Sequence, residues 1–378
     1  MKRLHKAVVL LLVAASFLCA LSSCSSDRAP VWVSYKDTVV RDYSYRYWLA
    51  QIKSAFVTGF EDITDTLECW NTKTTDASGS VITRGEYVER YAVQYVKNVV
   101  IELQWFKDYG LRLSDEDEKA VDDYLDEIVY YRYQDSKSLF GAALKDTYGI
   151  TLTQLRDTLL LEKKIAAVES YLFGSGGIMS PSDGELEEYY NTHYVRILPI
   201  VVYTETEYVT DENGDPVTDE AGAYVKKTLT EDEKKEKRKK AEAVYSLAKE
   251  GEDFLSLSER YGEGASTYRE GFYFSSDDIY SISSKNGVNV DVLSSIGAMQ
   301  VGSVEKFEIG EGAVLIVKRA ALEERAYGSS KYSDFFSGMT DHVATRKMRS
   351  MIEERLDDVS VNDELYALKV VDIKKGIL

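Results

Sequence analysis

Apolar and polar positions follow three different patterns along this chain. The first is a nearly unbroken apolar run from Ala7 to Leu21, preceded by Lys2, Arg3 and Lys6. That run falls short of the ~20 residues a membrane-spanning helix needs. A cationic start, an apolar core and small residues after it form the pattern of an export signal. The second pattern is helical. Tyr45, Trp48, Leu49, Ile52 and Phe56 fall at i, i+3, i+4, i+7 and i+11, which predicts a helix over 43–56. Thr83-x-x-Glu86, Ser114-x-x-Asp117, Thr151-x-x-Gln154 and Ser182-x-x-Glu185 are helix-start signals of the capping-box type. Behind Thr83, the stripe Tyr87, Tyr91, Tyr95, Val99, Leu103 and Phe106 runs to about 109. The Ser114 helix runs to about 133, and the Thr151 helix carries Leu155, Leu159 and Ala166 on one face. Residues 72–80 are polar and rich in turn formers and read as a loop. Residues 40–172 are therefore mostly helical.

The third pattern begins after Tyr190, where a Gly/Ser linker (173–181) and a short helix have passed. Tyr194 to Tyr203 (YVRILPIVVY) is apolar and β-branched and predicts a strand. Turn formers over 211–222 lie between Tyr208-Val209 and Tyr224-Val225 and predict a protruding hairpin. The charge run 231–240 reads as the solvated face of a helix that continues through Ala241, Val244 and Leu247. A short helix carries Phe254, Leu257 and Tyr261. Residues 271–274 read as a strand, and 302–318 as two strands joined at Gly310-Glu311-Gly312. Helical spacing returns at Phe335, Met339, Val343, Ile352 and Leu356, over about 332–358, before a short apolar tail. No internal repeat is present.

Composition narrows the function. With 378 residues and 44% hydrophobic positions the chain can build two or three cored domains. Asp+Glu 64 against Lys+Arg 46 gives a net charge of -18, which argues against nucleic acid as a partner. Three His and three Cys are too few for a multi-ligand zinc site or a disulfide framework, and no metal or cofactor is expected. The linker FGSGGIMSP lacks the spacing of a phosphate loop, and Asp211, Asn213 and Asp215 lack the closing Glu of a calcium loop, since Gly222 stands there. Cys69, beside Trp70, has no His or Lys near it in sequence and reads as an inert thiol.

Leu21-Ser22-Ser23-Cys24, placed directly after the apolar run, resembles the lipobox of bacterial lipoproteins. The resemblance implies cleavage before Cys24 and lipid attachment to it. Losing Lys2, Arg3 and Lys6 would take the formal charge from -18 to -21. A body so acidic is repelled by anionic headgroups, so the lipid would hold it at the membrane while the body stands off.

The order of elements, with five short segments, resembles the parvulin-type foldase lipoproteins, the PrsA/SurA group. The segments are SPSDGELEEYY (180–190), VRILPIVV (195–202), KAEAVYSLAKEGEDFLSLSERY (240–261), REGFYF (269–274) and the closing stretch 292–318 with Val301-Gly302-Ser303-Val304. The resemblance implies an α+β chain. Its mostly helical chaperone region is built from N- and C-terminal segments around a parvulin-like module with a four-stranded antiparallel sheet. The division it implies is a signal over 1–23, a lipidated tether and lead-in over 24–40, and a helical SurA-N-like region over 41–190. A PpiC-type module then fills 191–322, with a hairpin insertion near 204–230, and a C-terminal helix and tail over 323–378 packs on the N-terminal region.

Members of that group isomerise X–Pro bonds, a step with a barrier of ~20 kcal/mol when uncatalysed. Catalysis needs an apolar cradle for the ring and polar groups that favour the twisted amide over the planar one. The group supplies those polar groups as two His and an Asp or Cys. Here Pro199, Val314 and Gly264 stand in those places, and neither His193 nor His342 matches them. No catalytic residue is assigned. Candidates for a client cradle are Tyr203, Phe272, Tyr273, Phe274, Leu293 and Met299. The expected function is that of a lipid-anchored extracytoplasmic holdase or foldase for unfolded secreted polypeptides, without isomerase chemistry. Two alternatives stay open: an active isomerase using Tyr203 or Tyr273, and a surface binding or scaffolding lipoprotein, for which the turn at Asn213-Gly214 would be a partner-specific arm.

Overall fold

The computed structural model describes residues 29–60, 62–76, 78–174, 176–209, 211, 217–220, 222, 224–263, 270–310 and 312–378. The stretch expected to be an export signal, Cys24, the Asn213-Gly214 turn and Gly264 lie outside the described residues. No helix among the described residues is long and apolar enough to cross a membrane. The chain divides into two units, one ending at Ser180 and resuming over Lys347–Leu378, the other spanning Pro181–Arg346.

The first unit starts with an antiparallel hairpin, β1 (Val31–Tyr35) and β2 (Thr38–Arg41). The sequence reading has a tether and lead-in over 24–40. Instead Trp32, Val33, Tyr35 and Val40 are buried, and β1 pairs on its other side with the strand Ser360–Val361. That partner is more than 300 residues away, so no local signal announces the strand. Helix α1 (Asp42–Gly59) follows, then α2 (Leu67–Asn71) and a small hairpin, β3 (Lys73–Thr75) with β4 (Val81–Thr83), in the stretch read as a loop. The long helices are α3 (Arg84–Asp108), α4 (Asp115–Arg132), α5 (Lys137–Thr147) and α6 (Leu152–Phe173). The capping boxes at Thr83, Ser114 and Thr151 all close in the structure. Ser136 caps α5, which carries no box and escaped the sequence reading.

Helix α3 packs on α1 and α6, and its buried stripe includes Val96, Val99, Val100 and Leu103. Trp48 Nε1 donates to Glu162 at 2.8 Å. The C-terminal tail is tied to α1 by one buried cation. Lys53, 2% exposed, donates to the carbonyls of Val370 (3.1 Å) and Ile373 (2.5 Å) and pairs with Asp65 at 2.7 Å. A buried ammonium is tolerated because each of its protons finds an oxygen.

The second unit opens with α7 (Asp183–His193), started by the Ser182 capping box. It continues with β5 (Tyr194–Tyr203), β6 (Thr206–Tyr208), β7 (Lys226–Thr228), α8 (Glu231–Lys249), α9 (Phe254–Tyr261) and β8 (Phe272–Ser275). Helices α10 (Ile279–Asn286) and α11 (Val290–Gly297) precede β9 (Val304–Ile309) and β10 (Ala313–Ala320). The main sheet has the order β8-β5-β10-β9 and is antiparallel throughout. The chain thus has the α+β class and the four-stranded antiparallel sheet that the resemblance implies.

Strand alternation sends successive side chains to opposite faces. One face, with Ile200, Val202, Val314 and Ile316, packs on Ala241 and Val244 of α8 and on Phe254 and Leu257 of α9. The other, with Val195, Ile197, Leu315 and Val317, packs on Ile296 and Phe274, and on Ile279, Ile282 and Val292. A third cluster is aromatic: Tyr189 and Tyr190 of α7 join Tyr194, Tyr273, Tyr332 and Phe336. It places the unit's boundaries earlier than 190 and later than 322, because both flanking segments bury rings in it. The helix read over 332–358 is interrupted at Ser337-Gly338, giving Ser333–Phe336 and Met339–Glu353. Gly is the weakest helix former after Pro.

Candidate functional site

The groove-facing side of β5 carries Ile197, Pro199, Val201 and Tyr203. Ala313 and Leu315 of β10 and Ile309 of β9 continue that floor. The opposite wall comes from Ile282, Val288, Leu293 and Ile296. Gly287 lets the wall turn: it ends α10 at φ +63, a left-handed conformation that favours glycine, and so points the chain toward Val288. Phe272 stands at one end, and Thr206 and Lys226 at the other. Together they enclose a groove of about 580 Å³.

Pro199 sits in a central strand, where a missing N–H usually costs a ladder bond. Here it does not. Strand β8 pairs only with Tyr194–Ile197 of β5, so β5 has an open edge beyond Ile197. The Pro199 carbonyl faces that edge, accepting from Ser258 at 3.5 Å. Glu263 closes the edge: its N–H donates to Val201 at 2.8 Å, and its carboxylate accepts from the Tyr203 N–H at 3.0 Å. Lys237 (2.8 Å) and Lys240 (2.7 Å) also pair with Glu263. Burial alone would raise this carboxyl, but the two ammonium groups hold it below the ordinary range. It is a structural clasp with its oxygens occupied, and it adjoins Gly264, which lies outside the described residues.

The structure does not bring Pro199 and Val314 together. Val314 lies on the opposite face, in the core beneath α8 and α9; opposite Pro199 in the register is Val317, and Leu315, opposite Val201, reaches the groove. Of the cradle candidates, Tyr203, Phe272 and Leu293 line the groove. Phe274 and Met299 pack behind it, and Tyr273 points into the aromatic cluster on the other side of β8, 4.9 Å from Tyr332 between ring centres. His193 ends α7, stacked on Tyr189 at 4.4 Å. His342 Nε2 meets Asp278 at 2.8 Å. Neither imidazole lines the groove.

The polar groups on the wall are therefore few. Tyr203 Oη lies 3.4 Å from Tyr208 Oη. Burial, and next the Tyr208 hydroxyl, push the Tyr203 phenol above its ordinary 10, so it keeps its proton at neutral pH. Lys226 Nζ lies over both rings, 5.3 Å from Tyr203 and 5.0 Å from Tyr208. No Asp, Glu, His or Cys is among the lining residues described. Nor does any group of three such side chains among the described residues have metal-binding geometry.

The first unit has a smaller apolar concavity of about 310 Å³, lined by Phe56, Phe60, Ile63, Trp70 and Tyr87. Phe60, Tyr87 and Tyr91 are exposed beside Phe56. Next to it, Cys69 has a cationic neighbour that sequence reading missed, because it comes from the next helix. Arg84 Nη1 and the Thr64 N–H each approach the Cys69 sulfur at 3.4 Å. Burial opposes the thiolate, but these donors outweigh it and lower the thiol's pKa.

No family model matches this chain, and no curated protein matches it. Among solved structures it is similar to the foldase protein PrsA from Streptococcus pneumoniae str. Canada MDR_19A, at 19% identity and a TM-score of 0.23, covering 78% of this chain and 97% of that one. It is also similar to PrsA from Bacillus subtilis, at 16% identity and a TM-score of 0.21 over 79% of this chain and 93% of that one. A third similar structure is peptidylprolyl isomerase (PrsA) from Bacillus cereus, at 14% identity and a TM-score of 0.26 over 76% and 91% of the two chains.

Proposed function

We propose that this chain is a lipid-anchored extracytoplasmic holdase. It receives extended apolar segments of unfolded exported polypeptides in the groove of the Pro181–Arg346 unit and does not isomerise prolyl bonds. The observation that carries the proposal is the groove wall: aliphatic and aromatic along its length, with no carboxylate, imidazole or thiol among its described residues. Such a wall gains affinity by removing apolar area from water, at about 25 cal/mol per Å². Its polar groups are confined to the end carrying Tyr203, Thr206 and Lys226, and along the rest of its length it would bind twisted and planar amides alike, which does not accelerate the turn. The exposed aromatics around Phe56 in the first unit add apolar surface of the same kind. The anchor rests on the position of Cys24 after its apolar run.

One observation favours the active-isomerase alternative, and it is narrow: the Tyr203 hydroxyl is on the wall. Both readings meet in one pair of assays on the full chain. Aggregation of an unfolded model client is followed by light scattering, and isomerisation of a Pro-containing peptide by a coupled protease assay. Suppression of aggregation is expected, weakened severalfold in Val201→Asp and Ile309→Asp, with far-UV circular dichroism checking that both variants fold. The isomerisation rate is expected to stay at the uncatalysed value. A rate ten times higher that falls in Tyr203→Phe would establish the alternative. Absence of any aggregation effect would leave the scaffolding reading.

A further inference from the structure

The groove is not symmetric along its length. Its floor along β5, from Ile197 to Tyr203, spans six residue steps, about 20 Å at the rise of an extended strand. One end is closed by Phe272. The other carries an ammonium group, Lys226 Nζ, held over the Tyr203 and Tyr208 rings. The neighbouring cations are already matched with carboxylates. Lys227 pairs with Glu207, Lys234 with Glu205, and Lys237 and Lys240 with Glu263. Lys226 has no carboxylate partner among the described residues. In a chain of net charge -18 an unmatched cation at the mouth of an apolar groove is a specific feature.

We infer that the groove selects its clients: it takes an extended apolar segment of about six residues that ends in an acidic side chain, whose carboxylate lies on Lys226. This rests on the groove being the client site, and it adds the chemistry of the client. The two phenols beside Lys226 are hydrogen-bonded to each other at 3.4 Å between Oη atoms, which leaves one O–H to donate to the same carboxylate. The aromatic rings hold the ammonium in place before the client arrives, so little side-chain freedom is lost on binding. Lys226 belongs to the β6–β7 hairpin, so this end of the groove is the contribution of the inserted arm, and the rest of the wall is built by the main sheet and α10–α11.

The test is direct binding of three dye-labelled hexapeptides to the full chain by fluorescence anisotropy. Their sequences are Leu-Val-Phe-Leu-Ala-Asp, the same with Asn last, and the same with Lys last, each with capped termini. At low salt the Asp peptide is expected to bind on the order of tenfold tighter than the Asn peptide, a single charge-assisted contact's worth. In Lys226→Gln the two should bind within about twofold of each other, and in Lys226→Glu the Lys peptide should become the tightest. Equal binding of all three peptides to the unmodified chain would overturn the acidic-end selection and leave the groove reading intact. Failure to bind any would overturn both. A preference for Asp that survives in Lys226→Gln would overturn the assignment to Lys226.

Discussion

Glu102 sits inside α3, 6% exposed, with no hydrogen bond or ion pair to any described residue. Burial first, and the Glu169 carboxylate second, push its carboxyl from an ordinary 4.5 up to about 8. The folded chain therefore holds a proton that the unfolded chain releases. Below pH 4.5 both states carry it, and the contribution to stability is complete. As pH rises toward 8 the unfolded state ionises first, and stability falls by about 1.36 kcal/mol per pH unit. Over the window from 4.5 to about 8 the loss is at most about 5 kcal/mol. Glu102→Gln keeps the shape and removes the ionisation. At pH 4 the variant should match the unmodified chain to within about 1 kcal/mol, and at pH 9 it should be more stable by roughly 2–5 kcal/mol. Urea unfolding followed by tryptophan fluorescence measures this cleanly, because Trp32, Trp48, Trp70 and Trp105 all lie in the unit that contains α3. A difference between variant and unmodified chain that is the same at pH 4 and pH 9 would refute the reasoning, since it would mean Glu102 ionises alike in both states.

Lys53→Ala strands two carbonyls and leaves the Asp65 carboxylate only its bond from the Trp70 indole N–H, and should cost about 3–5 kcal/mol in the same unfolding assay, with faster amide exchange over 365–378. Arg84→Met removes the cation beside Cys69 and should raise the thiol's pKa. Alkylation of the native chain by iodoacetamide, measured against pH, should then shift its midpoint upward; an unchanged midpoint would show that the Thr64 N–H alone holds the thiolate.

The sequence carried most of what local chemistry writes down. Four capping boxes were legible because Ser or Thr at the cap and a Glu, Asp or Gln three residues on must both be present for the bonds to close. Strand β5 was legible because nine of its ten residues are apolar, many of them β-branched, and leave little else to form. What stayed hidden depends on distant partners. The strand status of Val31–Tyr35 comes from Ser360–Val361 and from β2, and the Arg84 contact to Cys69 crosses from one helix to another. Helices α10 and α11, one wall of the groove, are each only eight residues long, and α10 is Ser-rich with weak apolar spacing. Lys226 was unremarkable in sequence, since only the fold shows that the cations around it are matched with Glu205, Glu207 and Glu263 while it lies over two rings.

The face on which a residue falls decides what a substitution does to this groove. Positions 197, 199, 201 and 203 of β5 and 313 and 315 of β10 look into it, and the positions between them look into the core under α8 and α9. A polar group lost from a core-facing position would change stability and leave the groove alone. Pro199 is groove-facing, and the resemblance places an imidazole there. Its ring adds apolar area to the floor while its carbonyl and missing N–H fall at the open edge of β5, where no ladder bond is sacrificed. A proline at this position thus deepens an apolar floor and offers no side-chain group that could favour a twisted amide. Affinity for an extended chain and turnover of its prolyl bonds pull in opposite directions at this residue, because the first grows with dry apolar contact and the second needs polar atoms facing the amide. Pro199→His would therefore be expected to weaken client binding without creating turnover, since Leu315 across the floor supplies no second polar partner.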